Sequence, residues 1–235
     1  MLSQLEIKRI NALKIKKYRH KYSEFIAEGD KIIKELIDEG LEVVNIYALQ
    51  NNFATNDNRV KIISEATLKK ITALTQPHQS LAVFKIPSRP VSIKKHEWVL
   101  LLDDIQDPGN MGTIIRTCDW FGIRTIICSD GCVDAFNPKV VQASMASIGR
   151  VQVIEEDLEK IIQEYQLPVY GAVLDGKNYH LQDFSEKGAI LIGNEGHGIQ
   201  ERLLSKISYP VTIPKKGKAE SLNAAIATAL ILDKL

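Results

Sequence analysis

Apolar residues recur at two different rhythms along this chain, and the change comes near residue 97. Upstream, Leu2, Leu5, Ile10, Leu13 and Ile15 sit at loosely helical intervals among basic residues over 2–17, which predicts a helix with one apolar stripe. Residues 25–27, 29–38 and 43–49 read strand, helix, strand. A strand at 60–63, a helix capped by Ser64 and an apolar run at 81–84 complete a small α/β unit. From residue 86 the chain carries Pro87, Pro90 and several charges without periodicity, the mark of a connecting segment. The expected layout is a first domain at 1–88, a linker at 89–96 and a second domain at 97–235.

In the second domain, short apolar runs alternate with helical patterns. Strands are predicted at 99–102, 125–128, 151–154, 169–173, 189–192 and 209–213, with helices at 112–121, 138–147, 158–166, 199–204 and 222–232. Alternation of this kind implies a parallel sheet covered by helices. Ligands in such sheets bind beyond the carboxyl ends of the strands. The loops after Leu102, Ile192 and Ile213 are therefore where chemistry is expected.

Composition changes the picture little. Of the 235 residues 45% are apolar, ordinary for a water-soluble chain with real cores. No apolar run approaches the roughly 18 to 20 residues needed to cross a bilayer, and the N-terminus lacks a signal-type apolar region; a cytoplasmic protein that does not engage a membrane is expected. Cys118, Cys128 and Cys132 have neither C-x-x-C spacing nor a nearby histidine pair, so they read as small buried hydrophobes and no metal site is expected. Net charge is only +1, yet Lys8, Arg9, Lys14, Lys16, Lys17, Arg19 and Lys21 crowd the start of the chain against Glu6. On charge alone this run reads equally as an RNA-contacting end or as a solvated helix face.

The three loops carry unusual residues. The first, Asp103 to Cys118, reads D-D-I-Q-D-P-G-N-M-G-T-I-I-R-T-C; Pro108 and Gly109 make a turn and Asn110 is placed to cap the helix that follows. Arg116 lies roughly 600° further round that helix at about 3.6 residues per turn, so it need not share a face with Asn110, although both could border one pocket. The second loop, L-I-G-N-E-G-H-G-I from Leu191 to Ile199, sets glycines and Glu195 directly after a buried strand, where a backbone can approach something closely. Alone it reads more readily as an ordinary tight strand-to-helix turn with Glu195 near the helix N-terminus. The third, I-P-K-K-G-K-A-E-S-L-N-A-A-I-A from Ile213 to Ala227, breaks a strand at Pro214 and Gly217 and opens an alanine-rich helix at Ser221 or Asn223. Lys215, Lys216 and Lys218 are either phosphate contacts or a solvated turn.

Taken in order and at these separations, N-x-G-x-x-x-R-T, G-N-E-G-x-G and I-P-x-x-G-x-x-E-S-L-N-x-x-x-A resemble the three motifs of the SpoU (TrmH) family of the SPOUT superfamily. The resemblance covers Trp98 to Leu235, and F-I-A-E-G-D-K-I-I-K-E-L is similar to the small substrate-binding domain that often precedes it. It implies an α/β fold whose C-terminal parallel-sheet domain is closed by a trefoil knot, an exception to the near-absence of knots. It implies a homodimer, S-adenosyl-L-methionine as cofactor, and methyl transfer to a ribose 2′-hydroxyl of RNA, ribosomal in preference to transfer RNA. Carried over by motif, Gly193, Asn194, Ile213, Pro214, Ser221 and Leu222 would hold the cofactor. Asn110, Arg116, Glu195, Ser221 and Asn223 would surround the reacting ribose. Lys215 stands where the family often has methionine and Cys118 where alanine is common, departures that bear on substrate preference more than on activity.

An arginine assigned to proton removal is a difficulty, because a guanidinium in a protein stays protonated. Arg116 is better cast as a stabiliser of the developing alkoxide, with Glu195 or solvent taking the proton. A conventional dinucleotide-type site would show G-x-G-x-x-G after the first strand of this half; that turn instead reads Q-D-P-G-N-M-G. A catalytically silent RNA-binding protein of the same fold would be favoured by loss of Arg116, Glu195 or Asn223, and all three are present.

Overall fold

The computed structural model describes residues 2–53, 58–88, 90–94 and 96–235, so residues 89 and 95 of the expected linker lie outside the described residues. Two compact units emerge, Met1–Arg89 with Asp134–Gly149, and Pro90–Val133 with Arg150–Leu235.

In the first unit the helices α1 (Gln4–Ala12) and α2 (Lys16–Tyr22) lead into β1 (Glu24–Glu28), α3 (Asp30–Asp38), β2 (Val43–Ala48), β3 (Val60–Ile62), α4 (Glu65–Ile71) and β4 (Ser80–Lys85). Ser3 and Glu6 form a reciprocal capping box at the start of α1, and Ser64 caps α4 as its position predicts. The strands pair in the order β1-β4-β2-β3. Ile10, Leu13, Ile26, Leu68, Ile71 and Leu81 form a buried cluster in this unit.

Much of the basic run is used internally. Arg9 donates to the buried Glu24, Lys14 Nζ donates to the Thr72 carbonyl at 2.6 Å, and Arg19 is 1% exposed and donates to Asp134 Oδ2 at 2.7 Å. The segment holding Asp134 lies within the sequence of the alternating half but packs here. Its helix α6 (Pro138–Ser144) lies against β1, and Phe136 meets Phe25 at 4.9 Å between ring centroids.

The second unit is a six-stranded sheet. Its strands are β5 (Val99–Leu102), β6 (Thr125–Cys128), β7 (Gln152–Glu155), β8 (Val169–Asn178), β9 (Ala189–Ile192) and β10 (Tyr209–Thr212). All pair in parallel, in the order β10-β8-β9-β5-β6-β7. The central strands are buried along their whole length, as expected of a sheet covered on both faces. Helices α5 (Pro108–Phe121), α7 (Leu158–Glu164), α8 (Glu201–Leu204) and α9 (Ala224–Leu232) complete the unit, with α9 packed against α5 and β9. Cys118, Cys128 and Cys132 are free and buried, and burial drives the Cys118 thiol well above its ordinary range. Among the described residues no helix is long and apolar enough to cross a membrane.

The chain leaves β5 toward β6 and β7 on one side and returns to build β9, β8 and β10 on the other. The order therefore reverses between β5 and β9, the place where an open α/β sheet opens a crevice. There the Asp103 amide donates to the Ile192 carbonyl at 2.9 Å.

Candidate active site

The first loop departs from the expected capping in a way that matters. Helix α5 begins at Pro108, and its N-cap is Asp107, whose carboxylate accepts from the Asn110 amide at 2.8 Å. Proline at N1 with aspartate before it is a strong start signal, so the helix starts about a turn before the predicted 112. Asn110 is thereby relieved of capping, and its side chain reaches other loops.

Asn110 Nδ2 donates to Glu195 Oε1. Asn110 Oδ1 accepts from Asn223 Nδ2 at 2.9 Å. Asn223 in turn caps α9, its Oδ1 accepting from the Ala225 and Ile226 amides. One chain of side-chain hydrogen bonds thus joins the three loops. Among the expected catalytic residues it unites Asn110, Glu195 and Asn223.

Beyond the ends of β9 and β10 lies a cavity of about 860 Å³, walled by both later loops. Gly193, Asn194, Ile213, Pro214, Ser221 and Leu222, the six residues expected to hold a cofactor, all line it, together with Glu195 and the apolar Val173, Ile192 and Val211. Glycine at 193 is required sterically, because a Cβ there would collide with the backbone of Gly198 and Ile199. The turn that produces this approach is closed by reciprocal bonds between Asn194 and Gly198, at 3.0 and 2.9 Å, with Gly198 at φ +73°.

A second, shallower recess between α5 and α9 is lined by Asn110, Thr113, Thr117, Phe121, Asn223 and Ile226, among others. Arg116 is exposed on α5 and lines neither hollow, consistent with its different azimuth on the helix. Lys215 borders the cavity, whereas Lys216 and Lys218 are simply exposed.

The model for the SpoU rRNA methylase family matches residues 97–233, and the model for the MRM3-like substrate-binding domain matches residues 4–82. The chain belongs to the SpoU rRNA methylase family. Every residue of the cavity and of the Asn110 chain falls inside the first match. A 23S rRNA (guanosine(2553)-2′-O)-methyltransferase from Bacillus subtilis is 32% identical over 97% of this chain and 94% of its own length. Among solved structures, an AdoMet-bound rRNA methyltransferase from Sinorhizobium meliloti superposes with a TM-score of 0.90 at 29% identity, covering 100% of this chain and 95% of that one. A TrmH-family protein from Porphyromonas gingivalis gives 0.88 at 36% identity, covering 100% and 98%. Like its family, the chain is an RNA methyltransferase.

Site residues that the motifs left unmarked form the floor beneath the second loop. Asp103, fully buried, accepts from the Gln200 amide at 2.8 Å and from its Nε2 at 2.9 Å. Asp104 receives His197 and Asn194. Two carboxylates directly after a fully apolar strand were the available signal, since buried acids are rare unless paired.

Proposed function

We propose that the cavity beyond β9 and β10 binds S-adenosyl-L-methionine, and that the enzyme transfers its methyl group to a ribose 2′-hydroxyl of 23S ribosomal RNA. The observation that carries this reading is the convergence of the second and third loops on one cavity, with the first loop tied to both through Asn110. The cavity suits such a ligand: it is roomy, largely apolar, and bordered by a glycine that brings the backbone close. Ribosomal RNA, rather than transfer RNA, is supported by the likeness to the Bacillus subtilis enzyme along almost the whole chain.

When bound, the cofactor supplies an electrophilic methyl group on a sulfonium. The chain's own residues then supply position and field. Gly193, Asn194, Ile213, Pro214, Ser221 and Leu222 enclose the ligand and exclude water from it. Asn110 and Asn223, which line the recess between α5 and α9, fix the orientation of the ribose, and Ser221 lines the cavity itself. Arg116, permanently cationic but exposed outside both hollows of its own chain, stabilises the developing 2′-alkoxide and grips a neighbouring phosphate once the homodimer completes the site, while Glu195 or solvent takes the proton.

In this reading the domains are 1–88 and 97–235, and the first binds the RNA substrate. The second carries a trefoil knot in its C-terminal segment, and two chains form a cytoplasmic homodimer. The α5–α9 surface supports dimerisation: Phe121 and Ile226 line its recess, and the adjacent Trp120 is 84% exposed, an apolar patch that suits a protein interface.

The test uses methyl-labelled S-adenosylmethionine with unmodified ribosomal and transfer RNA, for the wild type and Arg116→Ala, followed by alkaline digestion. Label in alkali-resistant dinucleotides from 23S rRNA, lost in the variant, is expected. Label confined to mononucleotides would mean base methylation and overturn the reading. Cofactor binding without any label would point to a silent RNA-binding protein.

A further inference from the structure

Asp104 is a non-glycine residue in left-handed conformation, at φ +58°. Such a backbone is strained for an L-residue, less so for Asp and Asn, and persists where surrounding contacts over-determine it. The contacts here are many. The Asp104 amide donates to Ser129 Oγ at 2.9 Å, and the carboxylate accepts from Gln106 Nε2 at 3.0 and 3.1 Å. His197 Nε2 lies 3.1 Å from Oδ2, and the Asp104 carbonyl accepts from Asn194 Nδ2 at 2.8 Å.

Two of these partners, Asn194 and His197, lie in one turn. Asn194 and His197 belong to the second loop and line the cavity, whereas Asp104 does not. Asn194 Oδ1 also accepts from the Gly196 amide at 2.7 Å, so the side chain that Asp104 holds is the one that shapes the turn. Asp103 fastens the far end of the same loop through Gln200. With the Asp104 side chain removed, His197 would lose its partner, and the turn from Asn194 to Gly198 would be held only by its internal bonds, the 104 carbonyl and the Asn110–Glu195 bond.

We propose that Asp104, with His197 Nε2 3.1 Å from its carboxylate, is a positioning residue that presses the second loop against the end of β5 and so sets the cofactor-facing wall of the cavity. The inference rests on the reading of that cavity as the S-adenosylmethionine site. Because Asp104 acts through Asn194 and His197, its loss weakens ground-state binding of the cofactor more than it slows the chemical step.

Gly131 offers an independent handle. A Cβ there would collide with the Asp104 carboxylate, so Gly131→Ala displaces the carboxylate without deleting a group of the site. The experiment measures S-adenosylhomocysteine affinity by calorimetry, together with KM for S-adenosylmethionine and kcat on unmodified 23S rRNA. Asp104→Gly tolerates the backbone conformation and removes the side chain; it is expected to raise Kd and KM about tenfold, with kcat within about threefold, as loss of one or two hydrogen bonds dictates. Gly131→Ala should reproduce that pattern and His197→Ala a weaker version of it. Asp104→Asn, which also accepts the left-handed backbone and keeps one acceptor oxygen, should restore most of the affinity. Wild-type Kd and KM in both Asp104→Gly and Gly131→Ala would overturn the proposal, as would an equal fall in kcat without a rise in KM. A wild type that binds neither ligand would instead overturn the cofactor reading, and the proposal with it.

Discussion

Asn223 Nδ2 donates to Asn110 Oδ1 at 2.9 Å, although 113 residues separate them in sequence. The bond ties the start of the final helix to the first turn of α5, and Asn110 passes the connection on to Glu195. The Asn110 amide serves both neighbours here, its oxygen accepting from Asn223 and its nitrogen donating to Glu195. Replacing it tests the whole chain of contacts.

Asn110→Ala is therefore expected to lower kcat for 2′-O-methylation by about 10- to 100-fold, the worth of a hydrogen bond to a charged group. Asn110→Asp should cost more, because it sets a carboxylate against Glu195 and removes the donor. Rates are read from alkali-resistant label under single-turnover conditions. Equal activity in all three proteins would remove Asn110 from the reaction.

Arg116→Lys separates charge from geometry. The residue is exposed, so melting should shift by no more than about 0.5 kcal/mol equivalent. Loss of the planar fork should nonetheless cost about 100-fold in kcat, the size of one preorganised donor. Near-wild-type turnover with a displaced pH profile would contradict a two-pronged grip by the guanidinium.

Gly193→Ala should abolish cofactor binding in calorimetry while leaving a folded protein, since the added Cβ meets the Gly198–Ile199 backbone and forces the turn outward. Unaltered affinity would show that the close approach at this corner does not shape the cofactor wall.

How far the sequence revealed these features follows from the range of each signal. Alternating buried strands such as Val99–Leu102 and Ala189–Ile192 were visible because both faces of a central parallel strand are apolar. The loops that wall the cavity were legible because glycine and proline punctuate them, but the six expected cofactor residues within them came from the motif resemblance. Asn110 was placed among the ribose-facing residues by the motif resemblance, whereas the local pattern cast it as a helix cap, since that pattern does not show that Asp107 already fills the cap. Asp104 and His197 escaped because their pairing joins loops some ninety residues apart and rests on a positive φ that residue type alone does not announce. The basic run at the N-terminus misled in part: Arg9, Lys14 and Arg19 are spent on internal partners, which a charge count does not distinguish from a nucleic-acid surface.

Arg19→Met tests that internal use. Arg19 is buried and also donates from its guanidinium to the Leu13 carbonyl at 2.8 Å, so removal leaves the largely buried Asp134 uncompensated. A loss of about 3–5 kcal/mol in chemical denaturation is expected, with partial recovery in the double variant Arg19→Met, Asp134→Leu. If the single variant is as stable as wild type, the pair contributes nothing to holding Asp134–Gly149 in the first unit.

Acid should weaken the first unit through two glutamates. Lys61 and the Ser3 cap hold the Glu6 carboxyl at about 2, from an ordinary 4.5. Burial alone would push Glu24 upward, but hydrogen bonds from Lys85 and Arg9 outweigh it and leave its carboxyl below the usual value. A carboxylate whose pKa is lower folded than unfolded contributes stability that is complete above the unfolded pKa and disappears as pH falls through the folded one. The sensitive window therefore runs from about pH 4.5 down to about 2 for Glu6, with Glu24 adding to its upper part. Glu6 is partly exposed, so salt screens its share, whereas the buried Glu24 should dominate. Glu24→Gln should melt at a lower temperature than wild type at pH 7, because Arg9 and Lys85 lose their partner, and its melting temperature should fall less between pH 6 and pH 3. Parallel melting curves for wild type and variant across that interval would show that Glu24 does not titrate with unfolding.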